Sequence, residues 1–170
     1  MINKGAENSS WPAFLIDFDL AIREHREPAS RARGKTGTRS FMAIGLLLGE
    51  NHSFWHDLES FFWVPFWICI HYDGSNRCVG PTEFDYWNYD NGQKFAYSKK
   101  GIITDETDFH SLIKAHFAPF YQPLIPCANR LRTVVFPGGW RGRIGDKGLY
   151  KQMKVVLRNA IQDPGDEDAY

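Results

Sequence analysis

One apolar run constrains how this chain of 170 residues can fold. Phe61–Ile70 has the sequence FFWVPFWICI, which contains no charge, and it is flanked by Asp57 and Glu59 before it and His71 after it. A membrane-spanning helix needs about 20 such residues, so this run is too short to cross a bilayer. A helix that is apolar nearly all round belongs at the centre of a domain. The sequence therefore predicts a central buried helix over residues 56–72.

The composition favours one domain and excludes some partners. Hydrophobic residues make up 43% of the chain, enough for one sizeable core. Twenty Lys and Arg balance twenty Asp and Glu, so no overall field attracts nucleic acid or an anionic membrane. The first eight residues lack the apolar stretch of a secretory signal, and the three cysteines lack the paired spacing of a zinc site. We expect an intracellular protein, cytoplasmic or nuclear, that binds neither nucleic acid nor a membrane.

Periodicity elsewhere predicts a mainly α-helical fold with little sheet. Amphipathic helices are predicted over Asp105–Phe117 and Leu149–Ile161. A short helix is predicted at Leu46-Leu47-Leu48, with Gly49 as its end. Residues 73–104 are rich in turn-forming residues and give no clear assignment.

A pair of carboxylates follows the first apolar run. Phe14-Leu15-Ile16 is typical of a short buried strand, and Asp17-Phe18-Asp19 comes directly after it. An Asp at a strand end can hold a divalent cation in a cleft, although it is also ordinary turn chemistry. Haloacid-dehalogenase phosphatases place two such Asp residues two apart, but Leu20 and Ala21 stand where that class requires Thr or Val nearby. A phosphatase is therefore the weakest of the enzyme hypotheses.

A basic loop follows the carboxylates. Between Asp19 and Arg39 there are six basic and three acidic residues, a local charge of +3 in a chain that is otherwise neutral. Loops of this length in compact domains are usually functional or disordered. We expect a protein substrate or partner to bind through Arg23–Ser40.

Several motifs then occur in an order that resembles the fungal-type protein kinase family. The segments that carry the resemblance are Leu15–Ala21, Lys35–Leu48 and His56–Tyr72, followed by Tyr121–Pro126 and Val134–Gly139. The resemblance covers roughly residues 11–162.

The resemblance implies a mainly α, protein-kinase-like large lobe. That lobe would span residues 12–162, with a polar lead at 1–11 and an acidic tail at 163–170. It would have a short β element before Asp17 and an activation segment over residues 17–45. The small lobe is expected to be absent, since the residues before Asp17 are too few for it.

The same resemblance implies roles for individual residues. Magnesium, which bridges the ATP phosphates, would be held by Asp17, with Asp19 as a second candidate ligand. Thr38 would position the substrate hydroxyl, and Asp57 would be a structural anchor beneath the catalytic loop. The remaining activation-segment residues are Phe18, which would switch between active and inactive packing, Ser30 and Thr36.

Two departures from the family bear on activity. The 170 residues contain no Gly-rich phosphate loop, no strand Lys and no His-Arg-Asp loop, so no cofactor site is complete. Gly45 stands where the family has a Glu that pairs with a later Arg, for which Arg130 or Arg132 is the expected residue. We expect a Ser/Thr transferase family whose activity needs ATP and magnesium, with this chain inactive by itself. The alternative is a non-catalytic pseudokinase or interaction module.

Overall fold

An aromatic helix organises the part of the chain that the structure describes. The computed structural model describes residues 38–74, 77–141 and 148–162. Contacts divide the chain into two units, residues 1–34 and 35–170, and every described residue lies in the second. The helices are α1 (Ile44–Leu47), α2 (Phe54–His71), α3 (Gly92–Thr104), α4 (Glu106–His116), α5 (Ile125–Val135) and α6 (Leu149–Gln162). Short 3-10 helices lie at Arg39–Phe41, Asp85–Asn88, Pro119–Leu124 and Pro137–Gly139.

Helix α2 confirms the predicted central helix to within two residues at each end. At its start, the backbone N–H of Ser53 donates to Nδ1 of His56 at 3.0 Å, which satisfies one of the free donors of a helix N-terminus. The helix continues through Pro65 and ends at His71. It is not buried all round, however, because Phe61 is 64% exposed and Ile68 is 38% exposed. One face of α2 packs into the core, and another face is exposed to solvent.

The core is built from aromatic rings of α2 and its neighbours. Phe66 stacks on Trp87 with ring centroids 5.7 Å apart and planes 9° from parallel. Phe62 meets Phe136 edge-on at 5.1 Å and Phe109 at 6.1 Å. Such pairs contribute about 0.5–1.5 kcal/mol each beyond the area they bury. The aromatic rings of α2 therefore pack against the turn before α3, against α4 and against the residue that follows α5.

Helices α4 and α6 confirm the predictions made for those segments, and α1 confirms the short helix near Leu47. The side chain of Asp105 caps α4 by accepting from the backbone N–H of Asp108 at 2.9 Å. Helix α6 buries Leu149 and Met153, four residues apart, and leaves the opposite side in solvent. These helices were predictable because their apolar residues follow the helical period without interruption.

Helices α3 and α5 were not predicted, and the same physical cause explains both omissions. Helix α3 buries Phe95, Lys99 and Ile103, which are spaced by one turn. Helix α5 buries Arg132 beside Leu131 in the same way. A basic residue in the middle of each apolar stripe hides the helical period from a sequence pattern.

Sheet is as scarce as predicted among the described residues. Strands β1 (Tyr72–Asp73) and β2 (Arg77–Cys78) form one antiparallel pair, with Tyr72 opposite Cys78. The short strand predicted before Asp17 lies outside the described residues. No helix in the described ranges has the length and apolar content to cross a membrane.

The turn after α5 yields a matched test of close packing. Gly138 and Gly139 both have positive φ, 66° and 76°. A Cβ on Gly139 would overlap the carbonyl oxygen of Thr104 at the end of α3, whereas a Cβ on Gly138 would meet only Trp140 at 3.6 Å. Gly138→Ala should lower the free energy of unfolding by about 1–2 kcal/mol, the cost of a left-handed alanine. Gly139→Ala should lower it by a further 1–3 kcal/mol or so through the overlap. Urea denaturation of both variants measures the difference, and equal losses would contradict this packing.

Candidate functional site

The described part of the predicted activation segment includes the residues from Thr38 to Ile44. Thr38 precedes the 3-10 helix Arg39–Phe41 and is exposed. Ser40, by contrast, is only 1% exposed, and Ile44 is fully buried. The segment therefore enters the core immediately after presenting Thr38 at the surface.

Lys99 holds the backbone of this segment from inside the core. Its Nζ donates to the carbonyl oxygens of Ser40 and Met42, each at 2.8 Å. The residue is fully buried, and its Nζ lies 4.3 Å from the ring centre of Trp63 and 4.7 Å from that of Phe95. Two carbonyls that would otherwise be unpaired in an apolar core are satisfied by one side chain.

Glu59 holds the end of the same segment. Its Oε1 accepts from the backbone N–H of Ile44 at 2.7 Å and from Nε1 of Trp63 at 3.0 Å. Burial lowers the pKa of Lys99 well below its usual range, and the negative charge of Glu59 opposes that shift. We call Lys99 and Glu59 together the buried clamp.

The outer side of the segment is held by the turn before α3. Ser40 Oγ donates to Oδ1 of Asn88 at 2.7 Å, and the guanidinium of Arg39 donates to the carbonyl oxygen of Asp90. The ring of Phe41 meets Trp67 of α2 edge-on, with centroids 6.3 Å apart. The segment is thus bonded on both sides, which fixes the position from which Thr38 projects.

The other residues predicted for the activation segment lie outside the described residues. They are Asp17, Phe18, Asp19, Ser30 and Thr36, together with most of the basic loop Arg23–Ser40. Their roles in metal binding and in the activation segment stay predictions. Of the predicted site residues, the structure describes Thr38 and Asp57.

Asp57 lies in the first turn of α2, where its side chain is 58% exposed. Its Oδ1 is 2.8 Å from Nε2 of His52, which donates to it. The buried carboxylate of this helix is Glu59, two residues later. The role of Asp57 as an anchor stays a prediction, and among the described residues its side chain is exposed and hydrogen-bonded to His52.

Gly45 makes no ion pair, as its sequence position predicted, but the nearby Glu50 binds an arginine. Gly45 packs against the carboxylate of Glu50 and the ring of His56, so a side chain at this position would displace both. Glu50 accepts from Nη1 of Arg141 at 2.5 Å, and this hydrogen bond lowers the pKa of Glu50. The expected partner Arg132 instead donates from Nε to the carbonyl oxygen of Ile103 at 3.1 Å, and its Nη1 lies 3.7 Å from the carboxylate of Glu106. A Glu–Arg pair does exist here, but it is made by Glu50 and Arg141.

Comparison with known families agrees with the resemblance over the first part of the chain. Residues 1–69 match the fungal protein kinase family. The matched region contains Asp17, Thr38 and Asp57, and it ends within α2. The similarity of segments after residue 69 stays a prediction. No curated protein and no solved structure matched the chain.

The buried clamp was missed by sequence reasoning. Glu59 belongs to the matched region, but Lys99 lies 30 residues beyond its end. No motif joins two residues 40 positions apart, and a lone lysine in a turn-rich stretch gives no signal of burial. The four-residue spacing of Phe95, Lys99 and Ile103 was the only sequence feature that indicated a shared buried helix face.

Removing the amine of Lys99 should destabilise the fold strongly. Lys99→Met keeps an unbranched side chain of similar length but leaves the carbonyls of Ser40 and Met42 without their donor. The expected loss is about 2–6 kcal/mol in the free energy of unfolding, because each of the two buried carbonyls left unpaired costs about 1–3 kcal/mol. Lys100→Met is the matched control, because Lys100 is half-buried and lies over the ring of Tyr97. It should change stability by less than about 0.5 kcal/mol. Similar losses for both variants in thermal or urea unfolding would show that Lys99 is not a clamp.

Proposed function

We propose that this chain supplies the substrate-facing part of a fungal-type Ser/Thr protein kinase. The proposal rests on two findings that concern the same segment of the chain. Residues 1–69 match the fungal protein kinase family. Within that region, the segment Thr38–Ile44 is hydrogen-bonded to the core through the buried clamp. Phosphoryl transfer depends almost entirely on positioning and charge stabilisation, so a fixed segment beside the acceptor is what such an enzyme needs.

Thr38 has the properties of a positioning residue. Its side chain carries a hydroxyl, which can donate to or accept from a substrate serine or threonine hydroxyl. It is exposed, and the residues directly after it are bonded to Lys99, Asn88 and Asp90. A substrate hydroxyl bound to Thr38 would therefore be positioned by a backbone whose conformation is fixed by these hydrogen bonds.

The proposed activity also requires groups beyond Thr38. Magnesium held by Asp17, with Asp19 as a second candidate, would neutralise charge on the ATP phosphates. The 170 residues contain no His-Arg-Asp loop to supply a general base. We therefore propose that the chain alone transfers no phosphate and that its basic loop, Arg23–Ser40, contributes to binding a protein substrate or partner.

A second candidate is a non-catalytic interaction module, and exposed tyrosines favour it. Tyr86 is 43% exposed, Tyr89 is 86% exposed and Tyr97 is 56% exposed. The hydroxyl of Tyr86 lies 2.6 Å from Oγ of Ser98, which ties this turn to α3. Tyrosine is enriched at protein interfaces because it offers a large apolar ring and a polar end. These rings lie in and around the turn that bonds to Arg39 and Ser40, so a partner bound there would also contact the proposed substrate segment.

Peptide binding with phosphate transfer measured in parallel tests the proposal. The chain is mixed with serine and threonine acceptor peptides and magnesium ATP, and both bound peptide and labelled phosphate are measured. Thr38→Ala should weaken peptide binding by roughly two- to tenfold, the value of one hydrogen bond, and Thr38→Ser should not. Thr133→Ala, an exposed threonine on α5, is the control and should leave binding unchanged.

The two readouts separate the parts of the proposal. If Thr38→Ala leaves peptide binding unchanged, Thr38 does not position the acceptor. If tyrosine substitutions at Tyr86 and Tyr89 abolish binding while Thr38→Ala has no effect, the interaction module is the better account. Labelled phosphate that disappears with Asp17→Ala would show that the chain is active by itself.

A further inference from the structure

A cavity of about 480 Å³ lies next to Glu59 of the buried clamp. It is formed by the start of α2, the ends of α3 and α5, and the turn after α5. Its lining residues are Glu50, Trp55, His56, Glu59, Lys100, Ile103, Thr104, Val135, Phe136, Gly139, Trp140 and Arg141.

The cavity combines an apolar interior with an aromatic rim. Ile103, Val135 and Phe136 are buried core residues that line it. Trp140 also lines it and is 76% exposed, an unusual position for an indole ring in a folded domain. An apolar pocket with a few polar groups is the usual form of a small-molecule site, and an exposed ring at its edge offers a surface for stacking.

Two cationic side chains line the same cavity. Arg141 donates to Glu50 through Nη1, and its guanidinium has further donors in the same plane. Lys100 packs over Tyr97 at 5.5 Å, and no carboxylate lies within ion-pair distance of it in the described part of the chain. The carboxylate of Glu59 accepts hydrogen bonds from the backbone N–H of Ile44 and from Nε1 of Trp63, so donors inside the core stabilise its charge. A ligand that brings one negative charge would therefore meet Arg141 and Lys100, with Glu50 as an internal competitor for Arg141.

An unpartnered donor adds a second requirement. Nε1 of Trp55 is buried and has no hydrogen-bond partner in the described part of the chain. Buried donors are nearly always paired, and an exception calls for an explanation. Because Trp55 lines the cavity, an acceptor atom on a bound molecule would supply the missing partner.

We propose that this cavity is a binding site for a small aromatic carboxylate. The ring would pack among Val135, Phe136 and the exposed indole of Trp140. The carboxylate would bind Arg141 and Lys100, in competition with Glu50. This site does not depend on kinase activity, so the proposal stands apart from the proposed function.

The test measures binding of 1-naphthoate to the full chain by titration calorimetry. An uncharged analogue, 1-naphthalenemethanol, is measured alongside it. Naphthoate should bind at one site per chain and at least about fivefold more tightly than the alcohol, because the alcohol cannot pair with the two cations. Lys100→Gln and Arg141→Gln should each weaken naphthoate binding by roughly fivefold or more. Glu50→Gln should tighten it, since the neutral amide no longer competes for Arg141.

Lys154→Gln is the matched control, because Lys154 lies over Tyr150 at 5.8 Å much as Lys100 lies over Tyr97. It should leave binding unchanged. Lys100→Gln removes no hydrogen bond to a core group, so it keeps the test valid if Arg141→Gln disturbs folding. Absence of naphthoate binding at millimolar concentration overturns the proposal. Equal binding of naphthoate and the alcohol, or binding that Lys100→Gln and Lys154→Gln affect equally, also overturns it.

Discussion

The amine of Lys99 lies in the aromatic core with two backbone carbonyls as its hydrogen-bond acceptors, and the described fold depends on that arrangement. The carbonyls belong to Ser40 and Met42, so the interaction joins the predicted activation segment to α3. Glu59 accepts from the next free amide of the segment, at Ile44, and joins it to α2. Because the carbonyls of Ser40 and Met42 and the amide of Ile44 all have partners, the segment enters the core with these backbone groups satisfied.

A second tie acts further along the chain. Gly45 has no side chain, which leaves room for the carboxylate of Glu50 beside His56. Glu50 in turn binds Arg141, which follows the turn after α5. The fixed segment is thus connected at one end to α2 and α3 and, a few residues later, to the C-terminal helices. A Glu–Arg pair supplied by Glu50 keeps this connection although position 45 carries no Glu.

The sequence predicted those parts of the fold whose apolar period is unbroken, namely α2, α4 and α6. It did not predict α3 and α5, since Lys99 and Arg132 interrupt the stripe that each helix buries. Motif order predicted Thr38 as a site residue from a local signal, and that role stays a prediction. The clamp has no local signal: its two members are 40 residues apart, and their contact exists only after α2 and α3 have packed. Motif order alone predicted Asp57 as an anchor, which stays a prediction; among the described residues Asp57 is exposed in the first turn of α2, beside His52.

The measurement that tests the clamp most directly is amide hydrogen exchange, followed by NMR, in the wild-type chain and in Lys99→Met. The amides of Met42 and Ile44 donate to Arg39 and Glu59, and the amide of Phe109 in α4 is an internal reference. If Lys99 holds the segment, the variant should lose at least roughly tenfold more protection at Met42 and Ile44 than at Phe109, because local opening then costs less than global unfolding. Equal changes at all three amides would contradict the account, since the segment would then be held by the core as a whole and not by the clamp.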